Sequence, residues 1–447
     1  MAVAILAVIT GIAFTRLGPK PPPEGAGGVA PSGGWLCPHG GGKDWKATIY
    51  LANPGATDVT ARITPLTSEG PNASVSVTVP AGGELAQSVK AADASSSTFV
   101  EYFGGWMAAG WLTHGGQDAF GAAAEPCAAE ASRRWFAADN TTQQGQESDL
   151  VIMNPFGADA VFDVVLYTAG RGAPIRDSAW ADLTLKPYHS LSLNLNDKAV
   201  GEEALTAEVD VSTGRVALAS VGIDAQGGVR STLGRPGADI QTYLPVGGGA
   251  GQAQLAITVP GTRGATFGGT LFTTDGPKPL AGLVGASQEP QTAQVYPLIT
   301  AGPSVASVIS QDGTPIVAVL RATGPGDDPG ATAGAAAPAS AWVVTPTSIG
   351  ARSRAGLVLL NPGSDPVDVT LHLLPLAGSS AAADVVVTIP ASTAVGAPPA
   401  FLASEPTASV QVTAEGPVIA MGQSTSTGSK GIQLYALCMG IAVPVAP

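Results

Sequence analysis

Aromatic side chains are concentrated in one short stretch, residues 99–114, although aromatic residues make up only 5% of the chain. Flat rings beside polar groups can stack on sugar faces or anchor a protein partner, because they bring a large contact area with little conformational entropy to lose. The stretch therefore predicts a ligand-binding site formed by Tyr102, Trp106, Trp111 and His114. The alternative interpretation is that these rings fill the core of the first folded unit.

The motifs that carry catalysis or hold cofactors are missing from the sequence. There is no G-x-S-x-G nucleophile elbow, the glycine run 247–251 lacks the third glycine of a dinucleotide fingerprint, and Gly42-Lys43 lacks the upstream glycine of a P-loop. Residues 194–205 lack the glycine and the glutamate of a calcium loop. The four histidines stand apart without metal-binding spacing, at His39, His114, His189 and His372. We therefore expect a non-enzymatic protein with no cofactor and no metal site.

Three cysteines, Cys37, Cys127 and Cys438, are too few for a tetrathiolate zinc site and contain no C-x-x-C redox motif. One disulfide and one remaining thiol is the natural arrangement. Cys37 opens the first repeat and Cys127 closes it, so we expect these two to form the disulfide. Two alternatives stay open, a bond between Cys37 and Cys438, or three reduced and buried thiols.

The charge balance excludes two classes of partner. The chain carries 21 Lys and Arg against 34 Asp and Glu, which gives a net charge of −13 without a long run of either sign. A phosphate backbone would be repelled, so we expect no nucleic-acid binding. The same acidity argues against docking to anionic lipid through a basic patch.

The N-terminal residues predict export. Residues 2–15 form a continuous apolar run that would span about 21 Å as a helix, which is short of the hydrocarbon core but suits a signal or anchor segment, residues 1–18. Residues 19–34 form a Pro- and Gly-rich linker. We expect an extracytoplasmic protein, secreted or held at the membrane through this segment. The alternative is a cytosolic protein in which the run forms a buried helix.

Four repeats of about 100 residues follow the linker. A strand that ends in an Asn-Pro turn recurs at Asn53, Asn154 and Asn361, and Val259 stands at the corresponding place in the third repeat. A glycine before a small-apolar strand recurs in phase with it. The predicted repeats are 35–131, 132–238, 239–323 and 342–447. Residues 324–341 contain almost no bulky side chain and are predicted to be a linker before the last repeat.

Apolar residues alternate with polar ones inside the repeats, as in residues 75–79 and 385–389, each followed by Pro-Ala. Alternation with period two is typical of strands with one buried face, and frequent turn signals favour short strands. The sequence therefore predicts an all-β protein of four tandem immunoglobulin-like β-sandwich repeats. The alternative is a closed ring or propeller of four units, which the unit-end positions of Cys127 and Cys438 would permit.

The chain resembles an uncharacterised family of bacterial extracytoplasmic, N-terminally anchored proteins with tandem β-sandwich repeats and a domain of unknown function. The resemblance covers most of the chain from Trp35 onwards. It implies a surface location and no established activity, and it brings no catalytic residue. The residues that carry it are the turns 51–55 and 360–363 and the strand ends 77–81 and 388–391.

Two functions are consistent with these features. The first is a surface-anchored binding or scaffold protein for an envelope polysaccharide or an envelope protein partner, because tandem modules on a stalk give reach and repeated surfaces. The second is an enzyme, or an accessory subunit of one, in envelope polysaccharide metabolism with its site at a repeat interface. An exposed aromatic patch in the first unit would favour the binding protein, whereas a pocket with several carboxylates would favour the enzyme.

Overall fold

The structure is a computed structural model, and it describes residues 32–115, 121–170, 173–248, 252–300, 302–349, 353–376, 379, 382–427 and 433–444. The predicted N-terminal segment, residues 1–18, and the linker up to residue 31 lie outside these ranges. Within them, no helix combines the length and apolar character needed to cross a membrane.

The described residues form four units of antiparallel strands, and each unit is a sandwich of two sheets. In the first unit the sheets have the strand orders β1-β7-β3-β4, with β5 paired to β3, and β6-β2-β8-β9. The strands are β1 Ser32–Cys37, β2 Lys46–Asn53, β3 Val59–Thr67, β4 Gly70–Pro71, β5 Val75–Val79, β6 Gly83–Lys90, β7 Ser97–Phe103, β8 Ala108–His114 and β9 Ala122–Pro126.

The second unit repeats this plan, with sheets β10-β16-β12-β13 and β15-β11-β17-β18 and with β14 paired to β12. Short 3-10 helices lie at Ser178–Trp180 and Leu195–Asp197. The strands are β10 Arg134–Asn140, β11 Gln146–Asn154, β12 Ala160–Thr168, β13 Ile175–Arg176, β14 Leu183–Leu185, β15 His189–Asn194, β16 Leu205–Thr213, β17 Ala217–Asp224 and β18 Val229–Leu233.

The third unit has sheets β19-β25-β21-β22 and β24-β20-β26-β27, with β23 paired to β21. Its 3-10 helices are Ala281–Leu283 and Pro325–Asp327. The strands are β19 Gln241–Val246, β20 Gln252–Val259, β21 Ala265–Thr273, β22 Gly276–Pro279, β23 Ala286–Gln288, β24 Thr292–Leu298, β25 Ser304–Ser310, β26 Val317–Thr323 and β27 Pro329–Thr332.

In the fourth unit one long strand, β33, passes through both sheets. It pairs with β28 and β30 in the first half and with β29 and β34 in the second. A short helix, α1 Pro399–Ala403, precedes it. The strands are β28 Ala339–Val344, β29 Arg354–Asn361, β30 Val367–Leu374, β31 Val385–Ile389, β32 Thr393–Gly396, β33 Ser409–Thr427, β34 Gln433–Met439 and β35 Ile441–Ala442. The predicted all-β class of tandem β-sandwich repeats is confirmed.

The four units close into a ring. The last long strands of the units pack against one another in the cyclic order β9, β18, β27, β34 and back to β9. The axis between them is lined by small residues, including Ala123, Gly330 and Ala331, together with Arg230 and Leu437, and the space left there holds no water-sized void. The closed ring considered as the alternative arrangement therefore describes the protein, although each unit is a two-layer sandwich rather than a single propeller blade.

The predicted linker 324–341 is wrong. It contains the 3-10 helix Pro325–Asp327, strand β27 and the start of β28, so the third unit extends to Thr332 and the fourth begins at Ala339. Close packing requires the small residues in this segment. A Cβ atom on Gly330 would lie 2.9 Å from the Tyr435 ring, and one on Gly324 would lie 2.3 Å from it. The first repeat also begins earlier than predicted, at Ser32.

A buried asparagine side chain joins the two layers in units one, two and four. These residues, Asn53, Asn154 and Asn361, end strands β2, β11 and β29 and are at most 1% exposed. Each side-chain amide donates to three backbone carbonyls, and each Oδ1 atom accepts from the N–H two residues later. Because buried polar groups must be paired, this turn recurs as a packing requirement.

The asparagine of the fourth unit shows the geometry. The Asn361 Nδ2 group donates to the carbonyls of Asp365, Ile389 and Pro390 at 2.7, 3.1 and 3.2 Å. The Gly363 N–H donates to its Oδ1 atom at 2.9 Å. Strand β29 lies in one sheet and β31 in the other, so this single side chain links both layers at the turn that follows β29.

The third unit uses a different residue for the same task. Val259 stands where the other units have asparagine, and it packs in the core. Gln288, at the end of β23, instead donates from its Nε2 atom to the carbonyls of Ile257 at 3.1 Å and Thr292 at 2.9 Å. It is 4% exposed. An amide side chain therefore joins the two layers in every unit. In the third unit this side chain belongs to the opposite layer.

Buried carboxyl groups lie where the units meet. The Asp139 carboxylate of unit two accepts a hydrogen bond from the Arg321 Nε atom of unit three at 2.6 Å. Glu84 of unit one accepts the Ser409 N–H of unit four at 2.6 Å. Asp328, just before β27, accepts from the backbone of β34 at 2.6 Å. Burial raises the pKa of Glu84 to about 8 and that of Asp328 to about 8, so both carboxyls keep a proton at neutral pH.

We expect Asn361→Ala to lower the free energy of unfolding by about 2–4 kcal/mol, because it leaves buried carbonyl groups without donors. Denaturant unfolding of the full chain measures the loss. Asn72→Ala is the control, since Asn72 is exposed and its side chain makes no hydrogen bond with a described residue. Equal losses for the two variants would contradict the role assigned to the buried amide.

Stability should fall as pH rises from about 4.5 to about 8, because folded Glu84 retains a proton that the unfolded chain releases near the ordinary glutamate pKa of 4.5. One such group contributes a slope of up to about 1.4 kcal/mol per pH unit. Glu84→Gln should remove this contribution and make the chain more stable than the parent at pH 8. Unfolding measured across this range tests it, with exposed Glu69→Gln as the control, and an unchanged slope would refute it.

Candidate functional site

A cleft of about 620 Å³ lies where the first, second and fourth units meet. We call it the aromatic cleft and define it by Trp35, Tyr102, Trp106, Trp135 and Ile441, which line it. Strands β1 and β7 supply the first two, the loop after β7 supplies Trp106, and β10 and β35 supply the others. Closure of the ring is what brings β35 beside β1, so the cleft exists only in the assembled ring.

Two of the rings are fixed parts of the scaffold. The Trp35 indole N–H donates to the Met107 carbonyl at 2.8 Å, and that of Trp135 donates to the Val216 carbonyl at 2.7 Å. Both rings are almost fully buried. They open the first and second repeats, and both pack in the hydrophobic core. They also form the rigid floor of the cleft.

Trp106 is the accessible ring. It follows the turn Gly104–Gly105 and meets Trp35 edge to face, with ring centroids 6.3 Å apart and planes at 73°. It is only partly buried. Among the described residues, none accepts a hydrogen bond from its indole N–H. A partly exposed ring that packs against a fixed ring and keeps an unused donor is suited to contact a ligand.

Tyr102 contributes a second unused donor. Its side chain is 8% exposed, and its hydroxyl bonds to no described residue. Burial raises its pKa, so the hydroxyl keeps its proton at neutral pH. Gly33 leaves it room, because a Cβ atom there would lie 2.5 Å from the hydroxyl oxygen.

Glu130 is the one charged residue among those that line the cleft in the described part of the chain. It lies exposed in the segment that connects β9 to β10, and it has no ion pair or hydrogen bond with a described residue. The cleft therefore offers apolar ring surface, two unused donors on aromatic side chains and one carboxylate.

The structure does not place the other two predicted site residues in the cleft. Trp111 is 0% exposed at the centre of β8, between Ile49 and Glu125 in the sheet, so the core interpretation is correct for this ring. His114 ends the same strand, and its Nδ1 atom lies 3.0 Å from the carbonyl oxygen of Gly115. Burial lowers its pKa. Neither residue therefore lines this cleft.

A disulfide joins Cys37 to Cys127, the pair favoured by the sequence, and Cys438 is a buried free cysteine. The bond connects β1 to the segment after β9, and Cys127 itself lines the aromatic cleft. It therefore fixes two walls of the cleft against each other.

A second cleft, of about 600 Å³, lies between the second and third units. We call it the charged cleft, defined by Arg134, Asp163, Tyr167, Glu208 and Asp210. The Arg134 Nε atom lies 2.7 Å from one Glu208 oxygen, and the Tyr167 hydroxyl donates to the other. Both oxygens of this carboxylate are thus occupied by the protein. Among the described residues, no three His, Cys, Asp or Glu side chains are arranged to hold a metal ion.

The fold and the cleft define a class, a ring of four β-sandwiches with a shared aromatic cleft. The chain belongs to the family described as "Family of unknown function (DUF5719)", which matches residues 101–400. The resemblance expected from the sequence is confirmed at the level of a family of unknown function. No curated protein matches the chain.

Two solved structures are similar to parts of the chain. One is the tetra-tandem repeat in the extending region of a large adhesion protein, at 12% identity and TM-score 0.11, covering 88% of this chain and 94% of that one. The other is the Streptomyces avermitilis α-L-rhamnosidase complexed with L-rhamnose, at 10% identity and TM-score 0.14, covering 81% and 53%. Scores this low carry no argument about function.

Truncating Trp111 and Trp106 should lower the free energy of unfolding by different amounts. Trp111→Ala should lower the free energy of unfolding by about 3–5 kcal/mol, because it empties a filled core site. Trp106→Ala should lower it by about 1 kcal/mol, since mainly the contact with Trp35 is lost. Denaturant unfolding measures both losses, and acrylamide quenching should fall only for the second variant. A larger loss for Trp106→Ala would show that this ring belongs to the core.

Proposed function

We propose that the protein is a non-enzymatic binding or scaffold protein of the cell envelope, which holds an envelope polysaccharide or an envelope protein partner in the aromatic cleft. The observation that carries the proposal is the pair of unused donors on aromatic rings, the Trp106 indole N–H and the Tyr102 hydroxyl, at the wall of one concave site. Its volume of about 620 Å³ lies within the usual range of ligand pockets.

An extracytoplasmic location is part of the proposal. A disulfide between Cys37 and Cys127 is favoured in oxidising compartments and is rare in the cytosol. The apolar run at residues 2–15 is suited to export or anchoring, and the Pro- and Gly-rich stretch after it is suited to a stalk. Together these features support a protein held at, or released from, the outer face of the membrane.

The competing function, an enzyme or accessory subunit with a site at a repeat interface, would use the charged cleft. That cleft has three carboxylates, Asp163, Glu208 and Asp210. Glu208 is held on both oxygens, and the Asp163 Oδ1 atom accepts the Asp182 N–H at 2.7 Å. These contacts favour a structural role for Glu208 and Asp163, and we therefore prefer the binding function.

The location is tested on the full-length chain in the cells that produce it. Thiol labelling after rapid acid quenching should find Cys37 and Cys127 oxidised, and added protease should reach the chain in intact cells or spheroplasts. Reduced cysteines in a chain that protease cannot reach would contradict export.

Binding is measured by co-sedimentation of the purified full-length chain with washed envelope fragments. Trp106→Ala should reduce the bound fraction strongly, because it removes the accessible ring. Phe103→Ala is the matched control, since Phe103 is the next aromatic residue, lies on β7 beside Tyr102, is 50% exposed and does not line the cleft. Binding that neither variant alters, or that is absent for the parent, would refute the proposal.

A further inference from the structure

We infer that the aromatic cleft takes an uncharged polysaccharide segment rather than an anionic polymer or a protein surface. This inference rests on the proposed function and names the ligand class of the same site. It depends on four features of the cleft, its stacking surface, its polar groups, its charge and its size.

The stacking surface is the Trp106 ring, which packs against the Trp35 ring. Trp35 is held by its hydrogen bond to the Met107 carbonyl, and Trp106 lies against it at 6.3 Å. Because the contact with Trp35 restricts Trp106, this ring loses little conformational entropy when it meets a ligand. A sugar ring presents a flat face of C–H groups that can lie on such an indole. A single partly exposed ring suits one sugar of a chain, with its neighbours extending along the cleft.

The polar groups match hydroxyls. A hydroxyl donates one hydrogen bond and accepts others, so it can pair both with donors and with a carboxylate. The cleft offers the Trp106 N–H and the Tyr102 hydroxyl as donors and Glu130 as an acceptor, and none of the three is satisfied by a described residue. A sugar chain carries hydroxyl groups that can pair with each of them.

The charge excludes anionic polymers. Glu130 is the one charged residue among the described residues that line the cleft, and the chain as a whole carries −13. A polymer with phosphate or uronate groups would meet like charge and no described cation at this site, which is repulsive at short range.

The size of the site argues against a protein surface. Stable protein interfaces bury roughly 1,200–2,000 Å² in total. The aromatic cleft is a concave site of about 620 Å³, in the range of pockets that enclose a small ligand or a short polymer segment.

The test is direct binding of the full-length chain to defined hexasaccharides. Neutral hexamers of glucose, mannose and galactose form one set, and a polygalacturonate hexamer is the anionic probe. Isothermal titration should detect binding to at least one neutral hexamer and weaker or no binding to the anionic one. Tighter binding of the anionic probe, or no neutral hexamer bound, would overturn the inference.

Variants assign the binding to the cleft. Trp106→Ala should weaken the neutral hexamer about tenfold or more, as for a central aromatic contact, and Trp106→Phe should fall between the parent and Trp106→Ala because it keeps a ring but loses the donor. Glu130→Gln should weaken it roughly threefold to tenfold. Phe103→Ala should bind like the parent. Unchanged binding by folded Trp106→Ala would place the glycan elsewhere and overturn the inference.

Treating the envelope fragments separates this inference from the proposed function. Periodate cleaves vicinal diols of sugars, whereas protease removes proteins. If periodate abolishes the Trp106-dependent binding and protease does not, the ligand is a glycan. If protease abolishes it and periodate does not, the binding function stands and the glycan inference fails.

Discussion

Side-chain size at the ring axis is the constraint on which the structure depends. Four strands, one from each unit, meet there, and alanine and glycine hold most of the positions that line the space between them, beside Arg230, Ser231 and Leu437. Tyr435 lies against the backbones of Gly324 and Gly330, so no larger residue fits. Closure then determines the rest, because it brings the last strand of the chain beside the first and so forms the aromatic cleft.

The third unit shows that a fold can keep an interaction while changing the residue that makes it. Buried carbonyl groups need donors, and a nearby amide can supply them from either layer. Val259 takes the asparagine position, and Gln288 donates from β23 instead. The turn motif is therefore one solution to a pairing requirement, and its loss from a sequence does not mean that the unit is loosened.

The period-two patterns and the recurring turn were sufficient to predict the strand-rich class and the repeats, since both follow from local rules. The cleft could not be predicted, because its walls come from three units far apart in sequence. Trp106 follows two glycines, which is a loop signal, whereas β8 around Trp111 is buried on both faces and shows no alternation. Residues 324–341 were interpreted as a linker, because composition alone does not distinguish a linker from a crowded strand.

The four inner strands, β9, β18, β27 and β34, are each the outermost strand of their own sheet. Exposed strand edges invite pairing with other chains, and here every inner edge is covered by its neighbours in the circle. The number of units is therefore set by geometry. A chain with fewer units would leave two strand edges uncovered and would tend to self-associate. Units therefore cannot be added or removed one at a time, as they can in a linear array.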